Sequence, residues 1–309
     1  MLSRQFSEYE AFAEQIQNVS VTLRISSLEH SLWSLQRIMA GALSVQRGCE
    51  GGGTIAEGAT VGSGWTFFHQ RNPVRINGKV VTEQDIYVVP PGGEFCLASH
   101  HAHEWFAVYI PTELLHQVPN DLEFAARAKP HMLKSPPGVT RQFTTLIHRF
   151  LTAAEARPQL LDSPNAIASV QNELLTSVNQ LFMTSQHSAS RHYERWREQT
   201  MSATEVALKE PELGMVVSEA STHLGVPERT LRAAFQSCYG LSPVKYLRIL
   251  RLHQARHLLL THCPDQTSVT QIASEVGFWE LGRFSRDYRK LFGELPSETL
   301  RKPIRKGHP

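Results

Sequence analysis

Arg283, Arg286 and Lys290 recur at i, i+3 and i+7, with Ser285 between the two arginines. Phe284, Tyr288 and Leu291 recur at i, i+4 and i+7 on a different face of the same predicted helix. A helix that is apolar behind and cationic in front buries one side and holds anionic groups on the other. An arginine fork meets phosphate oxygens, or O6 and N7 of guanine, through two parallel hydrogen bonds. The chain carries no nucleophile elbow, phosphate loop or dinucleotide fingerprint, so the chemistry on offer is binding rather than catalysis. On this stretch alone, an ordinary helical hairpin with solvated arginines fits equally well.

The elements that must position these residues occur twice. Val269, Ile272, Ala273 and Val276 predict a short helix, Gly277 a sharp turn, and a second helix starts near Glu280. Ala220, Ser221, Leu224, Gly225 and Val226 repeat the first part of this pattern at an offset of 52 residues. Leu231, Phe235, Gly240 and Pro243 repeat the second part at an offset of 53. The second copy therefore has one extra residue in its turn. Each copy closes with Gly-x-x-Pro, where glycine ends one helix and proline opens the next. Between the copies, residues 243–262 lack internal glycine and proline and predict one continuous helix. That rod spans roughly 30 Å, close to the roughly 34 Å between successive turns of one DNA groove. The pattern is that of two helix-turn-helix units held a groove apart.

The segments LGVPERTLRAAF, YGLSPVKYLRILRLHQARHLLL and VTQIASEVGFWELGRFSRDYRKLFGELPSETLR carry a resemblance to a known family. Residues 190–305 resemble the DNA-binding domain of AraC/XylS transcription regulators, and the wording is similar to ethanolamine-operon-type and some virulence or quorum-sensing regulators. The resemblance implies contacts to double-stranded promoter DNA by Arg229, Thr230 and Arg232 in the first reading helix. In the second it implies contacts by Arg283, Ser285 and Arg286. Pro227 departs from the pattern, standing where the family usually has a capping serine. The resemblance further implies a homodimer, transcriptional activation as the commoner mode, RNA polymerase as a partner, and a small-molecule effector of unknown identity.

The net charge of +2 hides an asymmetry. From Lys209 onward there are 15 Lys+Arg against 10 Asp+Glu, and 16 against 19 elsewhere. The basic excess accompanies the repeats, as a phosphate-binding surface requires. The tail RKPIRKGHP is part of it. Cys49, Cys96, Cys238 and Cys263 form no C-x-x-C pair, which suits a reducing, cytoplasmic location and speaks against a zinc ribbon. MLSRQFSEYEAFAEQ has no apolar stretch of signal-peptide type, and no run approaches a membrane span.

From Val19 to Pro111 the texture is strand-like, with short alternating segments and glycine turns such as Asn77-Gly78. This region resembles the cupin-like sensor domain of the same family. The expected fold is therefore two-domain: an N-terminal β-rich cupin-like barrel with a helical dimerisation segment, then an all-α tandem helix-turn-helix domain. The expected boundaries are 1–137, 138–185 and 190–309, with a hinge in SQHSAS at 185–190. Ile167, Val170, Leu174, Val178 and Leu181 form an apolar stripe that either dimerises or covers the barrel. Trp65, Phe67 and Trp105 either line a ligand pocket or belong to the core. His100, His101 and His103 with Glu104 lack the spacing of a cupin metal site and read as solvated loop residues; no metal or cofactor is expected. Three rival readings are a metal-dependent cupin enzyme with a DNA-binding tail, a ligand-independent regulator answering to a partner protein, and an architectural DNA binder.

Overall fold

The computed structural model describes residues 2–115, 129–188, 193–209 and 216–302. Among these, the N-terminal part builds two antiparallel sheets. With β1 (Leu2–Phe6), β3 (Trp33–Ala40), β5 (Thr54–Thr60), β9 (Asp85–Val89), β10 (Glu94–Ala98), β12 (His131–Lys134), β13 (Gln186–Ser188) and the strands named next, the larger has the order β1-β3-β4-β11-β6-β9-β12-β13 and the smaller β2-β5-β10-β7-β8. The strands that matter below are β2 (Val19–Ile25), β4 (Leu43–Glu50), β6 (Gly64–Gln70), β7 (Val74–Ile76), β8 (Lys79–Val81) and β11 (His103–Pro111). Asn77 and Gly78, both at positive φ, join β7 to β8 in the two-residue hairpin expected of that dipeptide. The Asn77 side chain also accepts from the Cys96 backbone N–H at 2.7 Å, which ties the hairpin to its sheet.

Strand alternation divides the core in two. On β11, Trp105 and Ala107 point into the barrel, whereas Phe106, Val108 and Ile110 point outward under two helices. Those helices are α3 (Pro137–Ala156) and α4 (Pro164–Thr184), after the short α1 (Tyr9–Ala13) and α2 (Thr112–Leu115). Ser163 caps α4 by accepting from the Ala166 N–H, with Pro164 in its first turn. Phe143, Ile147 and Phe150 of α3 and Leu174, Val178 and Leu181 of α4 are buried on the outer face of the large sheet. The stripe expected to dimerise is thus consumed within one copy of the chain. Leu174, Val178 and Leu181 are each fully buried, and Ile167 and Val170 pack beside them. An apolar stripe goes to the nearest apolar surface, and here that surface is the sheet's own outer face.

The expected hinge also differs. Gln186–Ser188 forms β13 and pairs with β12 (His131–Lys134), extending the large sheet. Residues 189 and 190 of that stretch, and 303–309 of the basic tail, lie outside the described residues.

The C-terminal part comprises α5 (Tyr193–Lys209), α6 (Val216–Leu224), α7 (Glu228–Tyr239), α8 (Pro243–Thr261), α9 (Val269–Glu275), α10 (Leu281–Phe292) and α11 (Pro296–Leu300). The central rod α8 is buried along most of its length, with Leu247, Leu252, Ala255 and Leu259 nearly free of solvent. Ser242 caps it, accepting from the Lys245 N–H, and its 19 residues span roughly 28 Å. Arg251 is buried as well and donates to the Ala207 carbonyl at 3.0 Å, near the end of α5. This arginine satisfies a carbonyl of the last turn of α5.

Candidate nucleic-acid interface

Each reading helix follows a glycine turn. Gly225 and Gly277 occupy the left-handed region at φ 61° and 82°. In both turns a backbone N–H reaches back to the preceding helix, Val226 to the Ser221 carbonyl and Phe278 to the Ala273 carbonyl. Glycine takes that conformation without the steric cost borne by a side chain. Gly240 and Gly293 close α7 and α10 in the same conformation. The turn chemistry therefore repeats at every junction of the two units.

Pro227 sits at the N-cap of α7 with extended backbone (φ −54°, ψ 139°) and contributes no side-chain capping bond. Its carbonyl accepts from the N–H groups of Thr230 and Leu231, so the helix still starts there. The second unit is capped on its first helix instead. Ser268 and Gln271 of α9 form a reciprocal capping box.

Both reading helices are anchored from behind. Leu231, Ala234, Phe235 and Cys238 of α7 are buried, as are Phe284, Tyr288 and Leu291 of α10. Phe284 packs on Phe278 at 5.0 Å and on Tyr288 at 5.7 Å between ring centroids. Tyr288 Oη donates to Thr299 Oγ1 at 2.9 Å, fixing α10 on α11. The opposite faces carry the charge. Arg229, Arg232, Arg283 and Arg286 are exposed, while Thr230 and Ser285 are partly covered. Arg289 and Lys290 are exposed too, and Arg289 is a cation on this surface that the expected contact set omits. Asp287 on α10 pairs with Arg248 of α8, so the acidic residue of this helix is held against the rod. Arg232 shares Glu228 in an i,i+4 pair at 3.0 Å, a solvated contact worth a few tenths of a kcal/mol and readily exchanged for a phosphate.

The aromatic residues expected to line one pocket part company. Trp105 faces the barrel interior, but Trp65 and Phe67 lie in the layer under α3 and α4. They occupy alternate positions of β6 on the side opposite Thr66 and Phe68, and it is Thr66 and Phe68 that face inward. The interior holds a cavity of about 70 Å³ walled by Phe68, Tyr87, Phe95, Trp105 and Tyr109. Glu50 enters it. One oxygen of Glu50 accepts from the Trp105 indole N–H at 2.8 Å, and the other, like Thr66 Oγ1, is buried without a hydrogen-bond partner. Gly48 lies beneath the Trp105 ring, where any Cβ would come within 2.2 Å of the indole.

The histidine run diverges. His101 pairs with Glu29 at 3.0 Å, and Glu104 pairs with Arg71 at 3.0 Å and with Arg47. His103 is a correction to the reading of these residues as solvated: it is buried, with Nε2 3.8 Å from Glu50.

Residues 220–302 match the family described as Helix-turn-helix domain, an interval that contains both glycine turns and both reading helices. The chain is 42% identical over 73 residues to the XylDLEGF operon transcriptional activator of Pseudomonas putida, 24% of this chain and 23% of that protein. The C-terminal part of the chain is of the AraC/XylS type. A second relative, the probable thc operon regulatory protein of Rhodococcus erythropolis, is 30% identical over 177 residues, 53% of this chain and 52% of that protein. A solved structure of a probable AraC family transcriptional regulator from Rhodopseudomonas palustris CGA009 is 35% identical. It covers 33% of this chain and 94% of that one, with a TM-score of 0.30. The chain thus spans about half the length of one relative and under a quarter of the other. Among its described residues, no helix is long and apolar enough to cross a membrane.

Proposed function

We propose that this AraC/XylS-family chain regulates transcription by binding promoter DNA through both helix-turn-helix units, with activation as its mode. One observation carries the reading. Two glycine-turned helix pairs present arginines outward from helices whose other faces are buried, and one buried rod of roughly 28 Å holds them apart. That separation suits successive major-groove faces on one side of a duplex. Arg229, Thr230, Arg232, Arg283, Ser285 and Arg286 are the contacts this reading assigns to DNA. The barrel is the regulatory part. Its cavity, mostly apolar with Glu50 on its wall, supports a small effector as the signal, and the chain works in the cytoplasm with RNA polymerase as its partner. A homodimer through α4 would have to use the polar outer side that bears Ser169, Asn172, Glu173 and Thr176.

The test is a gel-shift titration at fixed salt on an operator selected from random duplexes by the full-length protein. Arg286→Ala should weaken binding by about 1–3 kcal/mol with thermal stability unchanged. Phe284→Ala should lose about 3–5 kcal/mol of fold stability through a core cavity. Inserting about 5 base pairs between the two recognition boxes turns one box away, so affinity should fall by several kcal/mol. Equal affinity for both spacings would leave one unit with no contact to DNA.

A further inference from the structure

Trp279 is 68% exposed, the most exposed large apolar side chain among the described residues. It sits in the turn of the second unit, in the stretch that carries the extra residue relative to the first unit. In a helix start of this kind the residue before the N-cap commonly packs on the fourth helical residue as a hydrophobic staple. Here the N-cap is Glu280 and the fourth helical residue is Phe284. The position against Phe284 is taken by Phe278, at 5.0 Å. Trp279 is therefore displaced from the core and left in solvent, beside the start of the reading helix.

The neighbouring surface fits one occupant. Gly282, in the first turn of α10, has open space where a Cβ would be, so nothing shields the backbone there. Arg286, one turn further on, is exposed on the same helical face as Gly282. Indole, bare backbone and guanidinium thus follow one another at the end of the helix that enters a groove first. The first turn offers Gly282, with no side chain, and Arg283. Glu280 beside the indole is exposed, but exposed Arg283, Arg286, Arg289 and Lys290 outnumber it on this helix, and that excess selects a polyanion; the apolar group on a major-groove edge is the 5-methyl of thymine. The first unit has Pro227 and Glu228 at the corresponding turn and nothing equivalent to the indole.

We infer that Trp279 is a specificity residue of the second unit, reading thymine by apolar contact with its 5-methyl group while Arg286 holds the duplex. This rests on the DNA-binding reading above, and the experiment separates the two. The probe is the operator selected by the full-length wild-type protein, made with thymine or with deoxyuridine throughout the second box. Wild type should bind the deoxyuridine duplex about tenfold more weakly, a factor within the range for one mismatched base pair. Trp279→Ala should bind the thymine duplex about tenfold more weakly than wild type and be indifferent to the replacement. Its melting temperature should match that of wild type. Arg286→Ala should weaken both duplexes alike. A selected second box without thymine would overturn the inference. So would unchanged affinity of Trp279→Ala, or two losses that multiply independently. Failure of the DNA-binding reading looks different: Arg286→Ala would then have no effect on either duplex.

Discussion

Tyr9 and His253 meet at 3.1 Å, phenol oxygen to Nδ1, across the boundary between the barrel and the helix-turn-helix part. The other ring nitrogen of His253 lies 2.9 Å from the Ile25 carbonyl on β2. A carbonyl can only accept, so Nε2 carries the proton and Nδ1 accepts from the Tyr9 hydroxyl. The neutral ring is thereby held between two elements of the barrel. Burial pushes its pKa down to about 3, with the nearby Arg24 and Arg256 charges acting in the same direction.

This predicts an acid-sensitive domain junction. The folded pKa lies below the ordinary value near 6.5, so the native state binds fewer protons than the unfolded chain. The stabilisation is complete above about pH 6.5 and is lost as pH falls toward 3. Between pH 7 and pH 5 the loss should be at most about 2 kcal/mol, because pH 5 lies only about 1.5 units below the unfolded pKa. Denaturant titrations of wild type and His253→Gln across that range check it. The variant should show a flatter profile, and parallel profiles would remove His253 as the cause.

Arg256 is the second tie across the same boundary. Its guanidinium, 4% exposed, donates to Glu10 of α1 and to Glu294 of the second unit, each at 2.6 Å, and lies over the Phe292 ring. Lys302 links Glu294 to Glu8 on the barrel side. Removing one member of such a buried set strands the others, so Arg256→Ala should destabilise the chain by about 3–5 kcal/mol. Lys302→Ala, at a more exposed pair, should cost under about 1 kcal/mol. Thermal denaturation of both variants gives the comparison, and equal losses would contradict it.

The burial of the α4 stripe reverses an expectation about oligomers. Leu174→Asp with Val178→Asp should not give a folded monomer. Two carboxylates placed in the apolar layer beneath α4 should cost more than about 5 kcal/mol, comparable with the whole stability of a domain. Circular dichroism and sedimentation of the double variant test this together. A well-folded monomer would restore the stripe as a subunit interface.

The reading helices were legible in the amino-acid order because their determinants are local. Period-3.6 stripes such as Phe284, Tyr288 and Leu291, glycines at the turns, and prolines opening α8 and α11 act within a few residues of themselves. The Asn77-Gly78 hairpin was legible for the same reason, since its turn type demands positive φ at both positions. Displacement of Trp279 by Phe278 was not legible, because either aromatic satisfies the staple pattern and only packing selects between them.

What needed the tertiary structure is which apolar face meets which. Trp65, Phe67 and Trp105 look alike in sequence, but β6 and β11 are covered on both sides, so alternation no longer marks an inside. The α4 stripe is equally suited to a second subunit or to its own barrel, and the fold decided for the barrel by supplying an apolar sheet face within reach. Glu10, Arg256 and Glu294 come from distant parts of the chain, and nothing in their local order pairs them. By itself the sequence determined two helix-turn-helix units and their spacing, because helix periodicity and turn geometry are short-range. Only the tertiary structure joined those units to the barrel through Tyr9, His253 and Arg256, because burial and ion pairing depend on surfaces that exist only after folding.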